Sequence, residues 1–135
     1  MTIKVILDSN FLFVPLEFKI DIFEEIQNIL GGRIKFIVLS STIEELEKIS
    51  ASGKNKLSRQ ASFALELAKK CEILKVERFP GESNDDVIVR VAKKFKCAVA
   101  TNDRTLKRTL RNMGIAVIYV REKSRLEMEG TVNGV

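Results

Sequence analysis

Histidine and tryptophan are both absent from the sequence. Without histidine the chain has no Ser-His-Asp or Cys-His triad, no histidine general base and no histidine-liganded zinc site. The two cysteines, Cys71 and Cys97, stand alone and far apart, a spacing that fits neither a metal-binding pair nor a disulfide framework. Catalysis by this chain would therefore depend on carboxylates, hydroxyls, lysines or a metal ion held by oxygen.

Long apolar runs are also missing. No stretch approaches the length of about 18 residues that a membrane-spanning helix needs, and the first residues lack the pattern of a secretory signal. We therefore expect a cytoplasmic protein that does not contact a membrane. A chain of 135 residues is long enough for one core and too short for two ordinary domains. We predict a single domain over residues 1–122, followed by a polar C-terminal tail over residues 123–135 that frays or lies on the surface.

Short apolar runs alternate along the chain with segments of helical periodicity. The runs show no polar alternation, which is typical of central parallel strands covered on both faces. They occupy residues 3–7, 34–39, 73–76, 97–101 and 115–120. This order predicts an α/β fold with an open, parallel, five-stranded sheet flanked by helices on both faces. Right-handed crossovers would place the carboxyl ends of all its strands at one edge.

Acidic residues gather at this edge of the predicted sheet. Asp8 follows the first strand and Asp103 follows the fourth, while two acidic doublets lie near the starts of helices. A rotation of about 100° per residue turns one member of each doublet, Glu45 and Asp85, toward the cleft. The same rotation turns Asp86 toward solvent. Four carboxylates this close would repel one another unless a cation were bound among them, and Mg²⁺ or Mn²⁺ prefers such oxygen ligands.

A structural explanation also exists for each of these acids. Acidic residues near a helix N-terminus gain about 0.3 to 1 kcal/mol from the helix dipole. Asp8 and Asn10 have the residue types that most often shape a turn or cap a helix. Ser41 and Glu44 have the spacing of a capping box. These roles account for any one acid more easily than for four on separate segments.

Four short motifs, in order along the chain, resemble those of the PIN domain family of nucleases. They are Asp8-Ser9-Asn10, Glu45-Leu46, Asp85 with Ile88, and Thr101-Asn102-Asp103. The resemblance covers about residues 3–120. Residues 99–120 look especially like the branch that contains the small-subunit processome endonuclease of eukaryotes and its archaeal relatives, more than like VapC toxins.

The resemblance implies a PIN-like sheet of order 3-2-1-4-5 and cleavage of single-stranded RNA that depends on Mg²⁺ or Mn²⁺. Such an endoribonuclease hydrolyses phosphodiesters with a metal-activated water and leaves 5′-phosphate and 3′-hydroxyl ends, here in ribosomal RNA processing. It implies catalytic, metal-binding roles for Asp8, Glu45, Asp85 and Asp103. The supporting residues that it implies are Asn10, Ser9, Thr101, Asn102 and, as the neighbouring acid that some members use, Asp86.

A basic stripe begins beside Asp103. Arg104, Lys107, Arg108 and Arg111 recur at helical spacing, and the whole chain has a formal net charge of +5. We expect this stripe to contact RNA phosphates, although an ordinary solvated helix face has the same pattern. With one tyrosine and no tryptophan, we do not expect an extensive base-stacking platform.

Other functions fit part of the same pattern. The chain could be a non-catalytic RNA-binding or assembly module with a PIN fold, or a VapC-like toxin. A phosphotransfer or phosphatase domain is a weaker alternative, because residues 8–10 lack the Asp-x-Asp spacing of one such class. The sequence leaves open a homodimer and a further protein partner.

Overall fold

The computed structural model describes residues 2–132. In chain order the elements are β1 (Thr2–Leu7), a short 3-10 helix (Ser9–Phe13), α1 (Val14–Phe18), α2 (Ile22–Leu30), β2 (Arg33–Leu39), α3 (Ser40–Ala51), α4 (Lys56–Ala68), β3 (Glu72–Leu74), α5 (Asn84–Phe95), β4 (Ala98–Ala100), α6 (Arg104–Asn112), β5 (Val117–Arg121) and β6 (Arg125–Glu129). No helix in the described part of the chain is both long and apolar enough to cross a membrane.

The strands form one sheet in the order β3-β2-β1-β4-β5-β6. Strands β1 to β5 pair with one another in parallel, which confirms the α/β fold and the predicted order 3-2-1-4-5. The carboxyl ends of β2, β1 and β4 therefore lie side by side. This edge receives the segments that carry the predicted acidic residues.

A sixth strand, which the sequence analysis did not predict, pairs antiparallel with β5. The prediction of a fraying or merely surface-lying tail from residue 123 is wrong for Arg125–Glu129, and residues 133–135 lie outside the described part of the chain. The hairpin turns through Glu122 and Lys123 with φ of 54° and 58°. Such turns favour glycine or asparagine, so no turn signal marked this one. The strand is anchored because Leu126 is buried in the core.

Helices cover both faces of the sheet. Successive residues of a strand point to opposite faces, so Val5 packs in one core cluster and Ile6 in the other. The first cluster includes Ile26 of α2 and Ala61 of α4. The second includes residues of α5 and α6, such as Leu106. Because both faces are buried, the strands need no polar alternation, as the sequence indicated.

The start of α3 differs from the predicted one. The helix begins at Ser40, and its N-cap, Leu39, makes no side-chain capping bond, so the capping box of Ser41 and Glu44 does not form. The Ser40 hydroxyl is used elsewhere: it accepts the Val76 N–H at 2.9 Å and donates to the Val76 carbonyl at 3.3 Å. This pair of bonds ties the segment after β3 to the carboxyl end of β2.

Candidate active site

Asp8 lies at the centre of the carboxyl edge, directly after β1. Its side chain is only 5% exposed. Burial is the largest influence on its pKa and raises it above the usual value, and the nearby Glu45 and Asp103 carboxylates raise it further. Hydrogen bonds from Thr101 and Ser9 act in the opposite direction. The site therefore holds an acid whose charged form is disfavoured mainly by burial.

Three donors fix the orientation of the Asp8 carboxyl group. The Ser9 N–H donates to Oδ1 at 2.8 Å, and the Thr101 hydroxyl donates to Oδ2 at 2.8 Å. The Asn10 side-chain amide also donates to Oδ2, at 3.0 Å. The side-chain oxygen of Asn10, Oδ1, accepts the Asn102 N–H at 3.0 Å. Asn10 therefore links the segments that follow β1 and β4.

Asp103 caps α6 and faces the same edge. Its Oδ1 accepts the backbone N–H groups of Thr105 at 2.9 Å and Leu106 at 3.0 Å, so the capping role considered from the sequence does exist. The preceding Asn102 turns its side chain toward β5, where its Oδ1 accepts the Val120 N–H at 2.9 Å. The Asn102 amide oxygen is therefore engaged in the fold, whereas Asp103 Oδ2 accepts no hydrogen bond from the described residues.

The two acidic residues at the start of α5 differ in burial, as predicted. Asp85 is partly buried, while Asp86 is exposed and forms a capping box with Ser83. Burial is the largest cause of a raised pKa at Asp85, followed by the charges of Asp8, Asp103 and Asp86. Asp85 therefore belongs electrostatically to the carboxylate group around Asp8, and Asp86 lies at its border.

In α3, Glu45 is partly buried and Glu44 is exposed, again as predicted. Ser41 is 5% exposed, and its hydroxyl has no hydrogen-bond partner among residues 2–132. Positions four apart lie on one face of a helix, so this hydroxyl lies on the flank that carries Glu45. The sequence alone indicates only a capping role for Ser41. The four-residue spacing from Glu45 was the signal that could have placed it near the site.

The residues present fit a hard divalent cation. Among residues 2–132 no three carboxylates lie close enough together to bind one ion directly, although Asp8, Glu45, Asp85 and Asp103 affect one another electrostatically. Mg²⁺ commonly takes only one or two carboxylates and fills its other positions with water. The donor set thus suits an ion that keeps much of its water.

A cavity lies at the opposite edge of the sheet. It has a volume of about 520 Å³ and is lined by residues such as Lys4, Cys97 and Ile115, with none of the four carboxylates. Volume therefore does not identify the candidate site.

The predicted basic stripe on α6 has two parts. Lys107 forms an ion pair with Glu129 of β6, and its ammonium group lies 3.5 Å from the Tyr119 ring centroid. Arg111 donates to the Ile115 carbonyl at 3.1 Å. Arg104 and Arg108 are exposed, and within residues 2–132 neither forms an ion pair. These two arginines are the accessible cations next to Asp103.

The family profile described as a PIN like domain matches residues 5–123. The chain belongs to the PIN-like domain family. Ribonuclease VapC4 of Methanocaldococcus jannaschii is 33% identical to it over 96% of this chain and 98% of the relative. Ribonuclease VapC9 of Archaeoglobus fulgidus is 31% identical over 92% of this chain and 87% of the relative. The rRNA-processing protein fcf1 of Schizosaccharomyces pombe is 34% identical over 91% of this chain, but only 62% of its own length is covered.

A solved structure supports the same assignment. The PIN domain endonuclease Utp24 superimposes with a TM-score of 0.78 and 32% identity, over 98% of this chain and 95% of that one. The PIN resemblance inferred from the four motifs is therefore confirmed. The identities to the VapC and fcf1 relatives span only 31% to 34%, so they do not separate the two branches.

Proposed function

We propose that this PIN-like protein is a divalent-metal-dependent endoribonuclease that acts in the cytoplasm. The observation that carries the proposal is the group of four mutually repelling carboxylates at the carboxyl edge of a PIN-like sheet. The ribonuclease names of two relatives, each matched over most of its length, support RNA as the substrate.

The proposed reaction is hydrolysis of an RNA phosphodiester. A bound Mg²⁺ or Mn²⁺ would supply a more acidic water and neutralise charge on the phosphate. Asp8, Glu45, Asp85 and Asp103 would hold the ion, some of them through water. Asn10, Ser9 and Thr101 would keep the Asp8 carboxyl group in one orientation. Rigid support of this kind matters because small displacements of a catalytic group reduce the rate strongly.

Cleavage of a labelled single-stranded RNA in Mn²⁺ tests the proposal. We expect Asp8→Asn and Asp103→Asn to abolish cleavage while far-ultraviolet circular dichroism stays that of the wild type. Glu45→Gln should be impaired, whereas Glu44→Gln, which changes the exposed member of the same doublet, should cleave normally. Wild-type activity in either aspartate variant would refute the site. RNA binding that survives loss of all four acids, with no cleavage by the wild type, would favour the non-catalytic module.

Ribosomal RNA is the substrate that we propose. The 0.78 TM-score to Utp24 and the 34% identity to the rRNA-processing protein fcf1 support it. The VapC-like alternative is favoured by a different observation, the 98% coverage of VapC4. Expression in a bacterial host separates the two: a VapC-like toxin would arrest growth in a manner that Asp8→Asn relieves. A processing enzyme would instead cleave a ribosomal precursor RNA without stopping growth.

A further inference from the structure

The loop between β3 and α5, residues 75–83, is fixed at both ends to the carboxyl edge. At its start, the Val76 backbone exchanges two hydrogen bonds with the Ser40 hydroxyl. At its end, Ser83 caps α5 and accepts the Asp86 N–H at 3.1 Å. The helix that it caps carries Asp85, one of the four carboxylates. The β3–α5 loop therefore forms one flank of the candidate active site.

Phe79 projects from this loop and is 47% exposed. Its backbone is held in a tight turn in which the Glu82 N–H donates to the Phe79 carbonyl at 3.0 Å. Gly81 supplies the left-handed φ of 83° that this turn requires. The Phe79 N–H in turn donates to Glu82 Oε1 at 2.9 Å. An apolar ring in solvent is thus presented on an ordered piece of backbone.

Arg90 of α5 supports the ring from one side. Its guanidinium carbon lies 4.0 Å from the Phe79 ring centroid. The guanidinium donates to both carboxylate oxygens of Glu82, at 2.9 Å and 3.0 Å, and to the Glu77 carbonyl at 2.6 Å. A planar group held in this way is a rigid partner for an aromatic ring. The exposed part of the ring is left for a ligand.

The other exposed phenylalanines lack this combination. Phe63 is 38% exposed on α4, and no described cation lies over its ring. Phe95 has Lys4 and Lys94 at 5.8 Å and 5.4 Å, but it lines the cavity at the opposite edge of the sheet. Only Phe79, among these three rings, combines an ordered support with a place in a loop whose two ends lie at the carboxyl edge.

We propose that Phe79 is a stacking site for one base of a single-stranded RNA, a contact that rests on the proposed function. Every base has a π face, so such a site tolerates any sequence and adds affinity. Two strand spacings of about 4.8 Å separate β3 from β1, so the start of the loop, directly after β3, lies on the order of 10 Å from Asp8. Phe79 lies further along the loop, so the stacked base would lie outside the metal site. Arg104 and Arg108 lie on the other flank, next to Asp103, where they can contact the same strand.

Because the chain has no tryptophan, Phe79→Trp adds a single fluorescent reporter. We expect its emission to change on addition of a short, mixed-sequence single-stranded RNA in EDTA. By fluorescence anisotropy, Phe79→Leu should weaken binding of that RNA by about 5-fold or more. Phe63→Leu is the matched control and should bind as the wild type does. Melting temperatures would verify that both leucine variants are folded.

An abasic oligonucleotide of the same length tests the chemistry of the contact. It should bind the wild type and Phe79→Leu equally, because it offers no base to stack. Unchanged RNA affinity in Phe79→Leu would overturn the stacking site, and so would an equal loss in Phe63→Leu or a loss that persists with the abasic strand. Failure of the wild type to bind or cleave RNA would instead refute the proposed function, so the two failures are distinguishable.

Discussion

Replacing Asn10 by aspartate tests the network around Asp8. The Asn10 amide nitrogen lies 3.0 Å from Asp8 Oδ2, so Asn10→Asp would place a carboxylate oxygen at that position. Two unit charges at this distance repel by about 5.5 kcal/mol at an effective dielectric constant of about 20. Side-chain rotation and partial exposure of residue 10 should reduce this by roughly half, to about 2 to 3 kcal/mol. With an unfolding entropy of about 0.28 kcal/mol/K for a chain of this length, the melting temperature should fall by about 7 to 11 °C.

The loss should depend on pH in a defined direction. The paired carboxyl groups would share a proton in the folded state, so the folded pKa of one of them would be raised above its unfolded value. The folded state then binds more protons than the unfolded state, and stability falls as the pH rises through the folded pKa. The difference in stability between Asn10→Asp and the wild type should therefore be greatest at neutral pH. It should narrow as the pH falls toward 3.8, the usual value for aspartate.

Thermal melts of the metal-free proteins across this pH range are the assay. Asn55→Asp is the control, because Asn55 caps α4 through its Oδ1, and an aspartate caps equally well. Its stability should stay within about 0.5 kcal/mol of the wild type. If Asn10→Asp melts like the wild type at neutral pH, or if its deficit does not shrink in acid, the geometry assigned to Asn10 and Asp8 is incorrect.

Three further predictions concern the ion, the basic stripe and the last strand. Mn²⁺ at about 100 times its Kd should stabilise the wild type by about 2.7 kcal/mol and Asp8→Asn by less; equal melting-temperature shifts in the two proteins would contradict the site. The slope of log RNA affinity against log salt should become shallower by about 1 in Arg104→Ala and in Arg108→Ala. It should change less in Lys107→Ala, because Lys107 already pairs with Glu129. Equal slopes in all three titrations would contradict this. Leu126→Ala should cost about 2 to 4 kcal/mol in urea unfolding, since Leu126 is buried, and a neutral effect would mean that β6 does not belong to the core.

The sequence predicted both the parallel sheet and the inward-facing acidic residues, Glu45 and Asp85, for the same physical reason. Periodicity records which face of an element is buried, so it separated Glu45 from Glu44 and Asp85 from Asp86 before any contact was known. Burial in the structure agrees at both doublets. The hydrogen-bond partners of side chains were predicted less accurately than the buried faces. Ser41 was expected to cap α3, but Leu39 takes that position and leaves the Ser41 hydroxyl unpaired.

One missed turn explains most of what the sequence could not predict at the basic stripe. Glu122 and Lys123 adopt a left-handed backbone without glycine, so β6 was not recognised. The partner of Lys107 lies on that strand, so the sequence did not separate Lys107 from the other basic residues of the stripe. Phe79 was missed for a related reason, because its value as a platform depends on Arg90 and Glu82, which the fold brings together. Base stacking was judged from the numbers of tyrosine and tryptophan residues alone, and phenylalanine was left out.

Analysis of the RNA ends after cleavage tests the central claim most directly. A single-stranded RNA incubated with the wild-type protein in Mn²⁺ should yield fragments with 5′-phosphate and 3′-hydroxyl ends. EDTA should abolish these fragments, and so should Asp103→Asn. Fragments that form equally well in EDTA, or that carry 5′-hydroxyl and cyclic-phosphate ends, would contradict metal-dependent hydrolysis by the carboxylates around Asp8.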